Sequence, residues 1–169
     1  MKKTRFITQA AVIAAAYAAL SLVFAPISFG AVQFRVSEVL TLLPLFTPAA
    51  IPGLFIGCII ANLASPFGII DIVFGSLATL AASLLTYFIG KKVKGSVLSK
   101  LVAPLPPVIL NAVVVGSVLS YMLANTPDAA PFYIFGAQVG LGEAGVCYIL
   151  GVPLMLMLEK TGLTAKLFK

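Results

Sequence analysis

Apolar runs about as long as a bilayer is thick recur along this chain, and nearly every basic residue falls in three short stretches between or beside them. A helix needs about 20 residues to cross a hydrocarbon layer of about 30 Å. Runs of that kind lie at 6–25, 36–48, 49–66, 69–90, 104–124 and 136–158; the second is short, and Pro44, Pro48 and Pro52 interrupt the second and third. Of the 169 residues 61% are apolar and only 9% charged, and the mean hydropathy is +1.14. Soluble domains carry about a quarter charged residues. Disorder is excluded by the hydrophobicity, and a nucleic-acid surface by the scarcity of cations. The expected fold class is an all-α integral membrane protein, a single six-helix transmembrane domain over 1–169 embedded in the lipid bilayer.

The positive charges set the expected orientation. Lys2, Lys3 and Arg5 form one cluster, Lys91, Lys92, Lys94 and Lys100 a second, and Lys160, Lys166 and Lys169 a third, with Arg35 left over. Basic residues collect on the cytoplasmic side of membrane helices. Six spans put all three clusters and both termini there, whereas five or seven would strand one cluster outside. A cleaved secretory signal ending near Ala31 fits less well, because the first apolar run, at roughly 20 residues, exceeds the usual 7–15.

Other chemistry is thin. Cys58 and Cys147 sit in apolar runs and read as small buried hydrophobes rather than a disulfide. The chain has no histidine and no cysteine pair at ligand spacing, so no metal, haem or other cofactor is expected. No phosphate-binding loop is present, so any ATP-driven work falls to separate subunits.

An ionised side chain at mid-bilayer costs about 2.5–3.5 kcal/mol on insertion scales, which makes the intramembrane polar residues the best pointers to function. They are Glu38, Asp71 and Glu143, with Asn62, Asn111 and Gln138. The six-span topology brings Glu38, Asn62, Asp71, Gln138, Glu143 and Arg35 together in the outer layer and leaves Asn111 in the inner half. Asp71 also fits a plain helix cap, and Arg35 with Glu38, three residues on, a local pair. Glu143 has no partner within a turn and lies among Gly140, Gly142 and Gly145, which leave room for a ligand. Gly136, Gly140 and Ala144 form a small-residue ridge suited to helix packing. Ala10, Ala14 and Ala18, with Ala11, Ala15 and Ala19 beside them, make a smooth stripe that either packs within the chain or docks on another membrane subunit.

Four stretches resemble a known group: Val32-Gln33-Phe34-Arg35-Val36-Ser37-Glu38, Asn62-Leu63-Ala64-Ser65-Pro66-Phe67-Gly68-Ile69-Ile70-Asp71, Pro106-Pro107 with Asn111, and Glu143 in the glycine-rich last run. The chain is similar, over essentially its whole length, to substrate-binding S components of energy-coupling factor (ECF) transporters, a class of ABC importer, and among them to the queuosine-precursor transporter (QueT) family. The resemblance implies a bundle that captures a micronutrient outside the cell and associates with a transmembrane scaffold subunit and two ATPase subunits. It implies docking through Ala10, Ala14 and Ala18, and a lid at Pro26 to Phe34.

The implied ligand is a 7-deazaguanine in the aminomethyl or nitrile form. Glu143 or Glu38 would accept its donor edge, Asn62 and Gln138 would supply amides, and Asp71 would pair with an aminomethyl cation. Phe29, Phe34, Phe67 or Tyr121 would stack on the ring, with Arg35 and Asn111 completing the set. Three alternatives compete. An S component for riboflavin, thiamine or folate keeps the mechanism, although an anionic vitamin such as folate suits three carboxylates poorly. An intramembrane enzyme lacks a nucleophile with its base. A solitary channel or secondary transporter would line a path from side to side with ionisable groups and often shows inverted repeats, and neither is seen.

Overall fold

The computed structural model describes residues 2–30, 32–93, 97–162 and 164. Ala31 of the expected lid, and Lys94, Lys166 and Lys169 of the basic clusters, lie outside these residues. Among the described residues all regular structure is helical: α1 Lys2–Val23, α2 Ala25–Ser28, a 3-10 helix Val36–Leu45, α3 Ala50–Asn62, α4 Gly68–Lys92, α5 Val97–Val102, α6 Leu105–Met122, α7 Phe132–Ala144, a π-helical segment Gly145–Gly151 and α8 Val152–Lys160. Four helical stretches are long and apolar enough to cross a membrane: Lys3–Val23, Gly68–Lys92, Leu98–Met122 and Phe132–Lys160. Val36–Leu45 and Ala50–Asn62 are shorter apolar helices.

Local sequence explains these forms. Pro44 removes a backbone donor inside the 3-10 helix, and Pro106 and Pro107 stand in the first turn of α6, where a helix tolerates them. Pro153, in the first turn of α8, cannot donate to the carbonyl one turn back and its ring crowds that carbonyl. The wider π turns lie immediately before it. Gly68, with φ +63°, turns the chain from α3 into α4.

The long helices pack in the order α1, α3, α4, α6, α7, and the 3-10 helix stands inside, against α1, α4 and the π segment. Irregular backbone at membrane depth is tolerated only where protein covers it. Seven of the ten residues of the 3-10 helix are buried. Small residues set the closest approaches: a Cβ on Gly53 would meet the Ala10 carbonyl oxygen at 2.7 Å, and one on Gly57 the Ala14 carbonyl oxygen at 2.8 Å. One on Gly116 would meet Gly136 Cα at 2.7 Å. This is close packing of membrane helices through small residues.

The face of α1 bearing Ala10, Ala14 and Ala18 is therefore occupied by α3 within the chain. Ala14 and Ala18 are buried, whereas Ala11, Ala15 and Ala19 are exposed. Of the two roles expected for this face, packing within the chain and docking on another subunit, the first is seen at Ala10 and Ala14, where Gly53 and Gly57 give α3 the space to lie close.

Lys3, Arg5, Lys91, Lys92, Lys100 and Lys160 belong to helix ends at one end of the bundle. Lys100 Nζ pairs with Glu159 Oε2 at 2.5 Å there, and Thr47 Oγ1 donates to Gln9 Oε1 at 3.3 Å. The opposite end holds α2, residues 32–35, the α3–α4 turn and the start of α7.

Candidate functional site

Away from the lysines, the polar residues singled out in the sequence meet in the interior. Arg35, Glu38, Asn62, Asp71, Asn111 and Glu143 are all buried. They arrive on six elements: the segment after α2, the 3-10 helix, the end of α3, the first turn of α4, the middle of α6 and the end of α7.

One half of the cluster is built around Arg35. Its Nη2 donates to Gln33 Oε1 at 3.0 Å and lies 3.9 Å from Asp71 Oδ2, and its guanidinium sits 5.5 Å from the Phe29 ring centroid. Ser65 Oγ donates to the same Asp71 oxygen at 2.6 Å. Asn62 Nδ2 donates to the Asp71 backbone carbonyl at 3.0 Å, and Gly75 leaves the space, since a Cβ there would stand 2.8 Å from that amide nitrogen. The α3–α4 turn is thereby tied to the segment after α2.

The other half joins Glu38 and Glu143. Tyr17 Oη donates to Glu38 Oε1, and Asn111 Nδ2 donates to Glu143 Oε1 at 2.9 Å. Asn111 interacts with Glu38 as well, and Glu38, Glu143 and Arg35 lie within electrostatic range of one another. Cys147 Sγ, from the π segment, approaches the Glu38 carbonyl at 3.7 Å.

Asn111 thus belongs to the cluster instead of lying apart from it in the inner half. Helix α7 begins at Phe132, one turn earlier than the 136 expected from hydropathy, which pushes Glu143 deeper. Asn111 and Glu143 are each eleven residues from the far ends of their helices, Met122 and Phe132. At 1.5 Å per residue both lie roughly 16 Å down.

Other residues fall elsewhere. Tyr121 is 73% exposed and lines an outward-facing apolar groove of about 540 Å³ with Ile70 and Phe74. Gln138 and Phe67 line a separate cavity of about 380 Å³ with Asp128 and Phe135. The space at the glycines beside Glu143 is filled by the chain: a Cβ on Gly142 would meet the Val32 carbonyl oxygen at 2.3 Å, and one on Gly145 the Phe34 ring at 3.2 Å. Residues 32–34 therefore lie directly on α7, with Gln33 held at φ +48°, a conformation that costs a non-glycine residue free energy.

Tyr17 and Gln33 escape the sequence reading. Tyr17 carries the polar tip of an otherwise small-residue face between Ala14 and Ala18, and that interruption is its signal. Gln33 is signalled only by its place two residues before Arg35.

The decisive feature is what these groups leave open. Buried side-chain atoms with no hydrogen-bond partner include the acceptors Glu38 Oε2, Glu143 Oε2, Asn111 Oδ1, Asn62 Oδ1, Asp71 Oδ1 and Gln138 Oε1, and the donors Arg35 Nε and Gln33 Nε2. Each such group costs roughly 1–3 kcal/mol when left unpaired. Native interiors carry few, and each such group calls for an explanation.

A helical bundle with apolar membrane-length helices around a buried polar cluster is the build of a multi-pass membrane protein. The chain matches the QueT transporter family over residues 7–160 and belongs to it. It is 40% identical over 80 residues to the queuosine precursor transporter QueT of Lactococcus lactis subsp. cremoris (strain MG1363). That match covers 46% of this chain and 47% of the relative, so it spans about half the length of each. No solved structure matches the chain.

Proposed function

We propose that this chain is the substrate-binding S component of an ECF importer in the cell membrane, and that it captures a queuosine precursor on the extracellular side. In this reading the chain is one domain of six crossings with both termini cytoplasmic, and Val36–Leu45 with Ala50–Asn62 makes the two short ones. ATP hydrolysis belongs to two partner ATPases joined through a membrane scaffold subunit. The open small-residue face of α1, at Ala11, Ala15 and Ala19, is the part of that helix left for the scaffold.

The observation that carries the reading is the set of unpaired buried atoms on Glu38, Glu143, Asn111, Arg35 and Gln33. A 7-deazaguanine has a ring N–H and an exocyclic amine on one edge, beside a ring carbonyl. Glu143 Oε2 and Asn111 Oδ1 are acceptors for the two donors, one each, and the contact to the carboxylate is the stronger because it is charge-assisted. Arg35 Nε and Gln33 Nε2 are donors for the carbonyl. Phe29, already under the Arg35 guanidinium, is the aromatic surface nearest that end of the site. The segment 32–34 on Gly142 and Gly145 acts as the lid and must lift for entry.

The test is calorimetry on the detergent-purified chain with a panel of 7-deazaguanines, riboflavin, thiamine and folate. Saturable binding of a 7-deazaguanine alone is expected. Binding of a different vitamin would keep the S-component reading and change the ligand, and uptake by this chain alone in liposomes without ATPases would overturn the mechanism.

A further inference from the structure

We infer that the groove between α4 and α6 holds an acyl chain of a phospholipid, from the leaflet at the end of the bundle away from the lysines. The groove is separate from the buried polar cluster. Ile70 and Phe74 of α4 and Val113, Ser117 and Tyr121 of α6 are among its walls, and it opens outward with a volume of about 540 Å³.

The surface around it is the surface that faces lipid. Gly68–Lys92 and Leu98–Met122, which carry the two walls, are both long and apolar enough to cross a membrane. Leu105, Ile109, Val113 and Tyr121 form an exposed row at fourfold spacing down one face of α6. Phe74, across the groove, is 51% exposed. The groove is thus a cleft continuous with the bilayer-facing surface on either side.

Its length and depth fit one leaflet. Val113 and Tyr121 are eight residues apart, so the groove runs about 12 Å along the helix. Val113 lies nine residues from Met122, where α6 ends, at a depth of roughly 14 Å. Half of a hydrocarbon layer of about 30 Å is about 15 Å. The groove therefore starts where the headgroups end and stops near the midplane.

The walls select a flexible chain over a helix. Helices in this molecule approach one another at glycines, Gly53 and Gly57 against α1 and Gly116 against Gly136, as membrane helices do through small residues. Among the described residues the groove is lined by no glycine or alanine. Branched and aromatic walls hold a second backbone off, whereas a hydrocarbon chain adapts to them and gains dispersion contacts. Ser117, within the length of the groove, already donates its hydroxyl to the Val113 carbonyl at 2.6 Å, so the occupant need offer nothing polar there. Tyr121 stands at the mouth, 73% exposed, at the level where tyrosines meet headgroups.

The chain has no tryptophan, so a single introduced one reports only its own surroundings. Phe74→Trp places it in the groove, and Val73→Trp places it on the same exposed turn outside the groove. Each full-length variant, in detergent, is titrated with a phospholipid brominated along its acyl chains, which quenches tryptophan on contact. Quenching of Phe74→Trp is expected to saturate at about one lipid per chain and to exceed that of Val73→Trp about tenfold at that ratio, the margin that packing a few methylenes supplies. Adding Ser117→Phe, which fills the groove, is expected to abolish the saturating phase while the chain stays monodisperse. Equal quenching at the two positions, or a saturating phase that survives Ser117→Phe, overturns the inference. A dimer that Ser117→Phe converts to monomer also overturns it, since the groove would then hold a second copy of this chain. Should the filled variant unfold, the comparison of Phe74→Trp with Val73→Trp decides alone.

Discussion

The hydroxyls of helix α4 and the carboxylates Glu38 and Glu143 are both buried polar groups, and they are satisfied by different means. On α4 two hydroxyls are answered by the preceding turn, Thr79 Oγ1 donating to the Gly75 carbonyl at 3.1 Å and Ser83 Oγ to the Thr79 carbonyl at 2.6 Å, while Thr86 Oγ1 reaches the Ala103 carbonyl beyond α5 at 3.3 Å. Ser76 alone of these is left open. A hydroxyl can donate to the carbonyl one turn back, so its burial in a helix needs no outside partner. A carboxylate has nothing to donate, and the N–H groups of a helix interior are already engaged. Glu38 and Glu143 must find donors on other elements, and the bundle supplies one each, from Tyr17 and Asn111. Burial of a polar group is therefore a weak mark of function in this molecule; burial that the local backbone cannot satisfy is a strong one.

Four measurements break or sharpen that contrast. Glu143→Gln, the largest expected effect, should weaken ligand binding by about 100-fold. The melting temperature of the unliganded chain should hold or rise, because a buried charge has been removed while an acceptor for Asn111 is kept. A fall in melting temperature comparable to the loss of binding would place Glu143 with the structural hydroxyls of α4. Gly57→Val comes next, since its Cβ alone would stand 2.9 Å from Tyr17 Cβ. Thermal unfolding in detergent should show a loss of about 2–3 kcal/mol, in the range for overpacking a filled core, with reduced ligand affinity because Tyr17 moves.

Tyr17→Phe should weaken binding about tenfold, the worth of one hydrogen bond to a charged group, and also lower the stability of the unliganded chain by about 1–3 kcal/mol, because Glu38 Oε1 loses its donor. Calorimetry and a thermal melt on the same sample separate the two readouts. Ser83→Ala, on the other side of the comparison, should change stability by less than about 0.5 kcal/mol and leave affinity unaltered. A binding defect there would mean that the α4 hydroxyls belong to the site after all.

Much of the fold is legible in the sequence for a simple physical reason: lipid length and charge placement act on whole segments. The expected 69–90 and 104–124 differ from Gly68–Lys92 and Leu105–Met122 by a turn or less. The 3-10 form of Val36–Leu45 is not legible, since hydropathy does not distinguish helical pitches; the prolines mark only that something irregular happens there. At the site, Arg35, Glu38, Asn62, Asp71, Asn111 and Glu143 stand out because ionisable and amide groups are costly in lipid. Which of two neighbouring alanine rows faces inward is decided by Gly53 and Gly57 on another helix, and pairwise depth by where a helix begins. The exposed Tyr121 shows the same limit: an aromatic residue near a helix end carries no sign of which way it faces.

The 3-10 helix has one further consequence. With three residues per turn its side chains align in straight columns, about 120° apart. Ser37, Leu40 and Leu43 form one: Ser37 accepts from Ser21 on α1 at 2.7 Å, and Leu40 and Leu43 join the apolar cluster with Ile13, Tyr17 and Leu54. Leu42 and Leu45 belong to a second, with Ala103 and Met155. Glu38 and Thr41 share the third, where Thr41 Oγ1 donates to the Glu38 carbonyl at 2.5 Å. The segment is a three-sided post with one polar side. Inserting a single residue after Ser37 would turn everything beyond it by a third of a revolution, swinging the acidic side away and an oily one into its place.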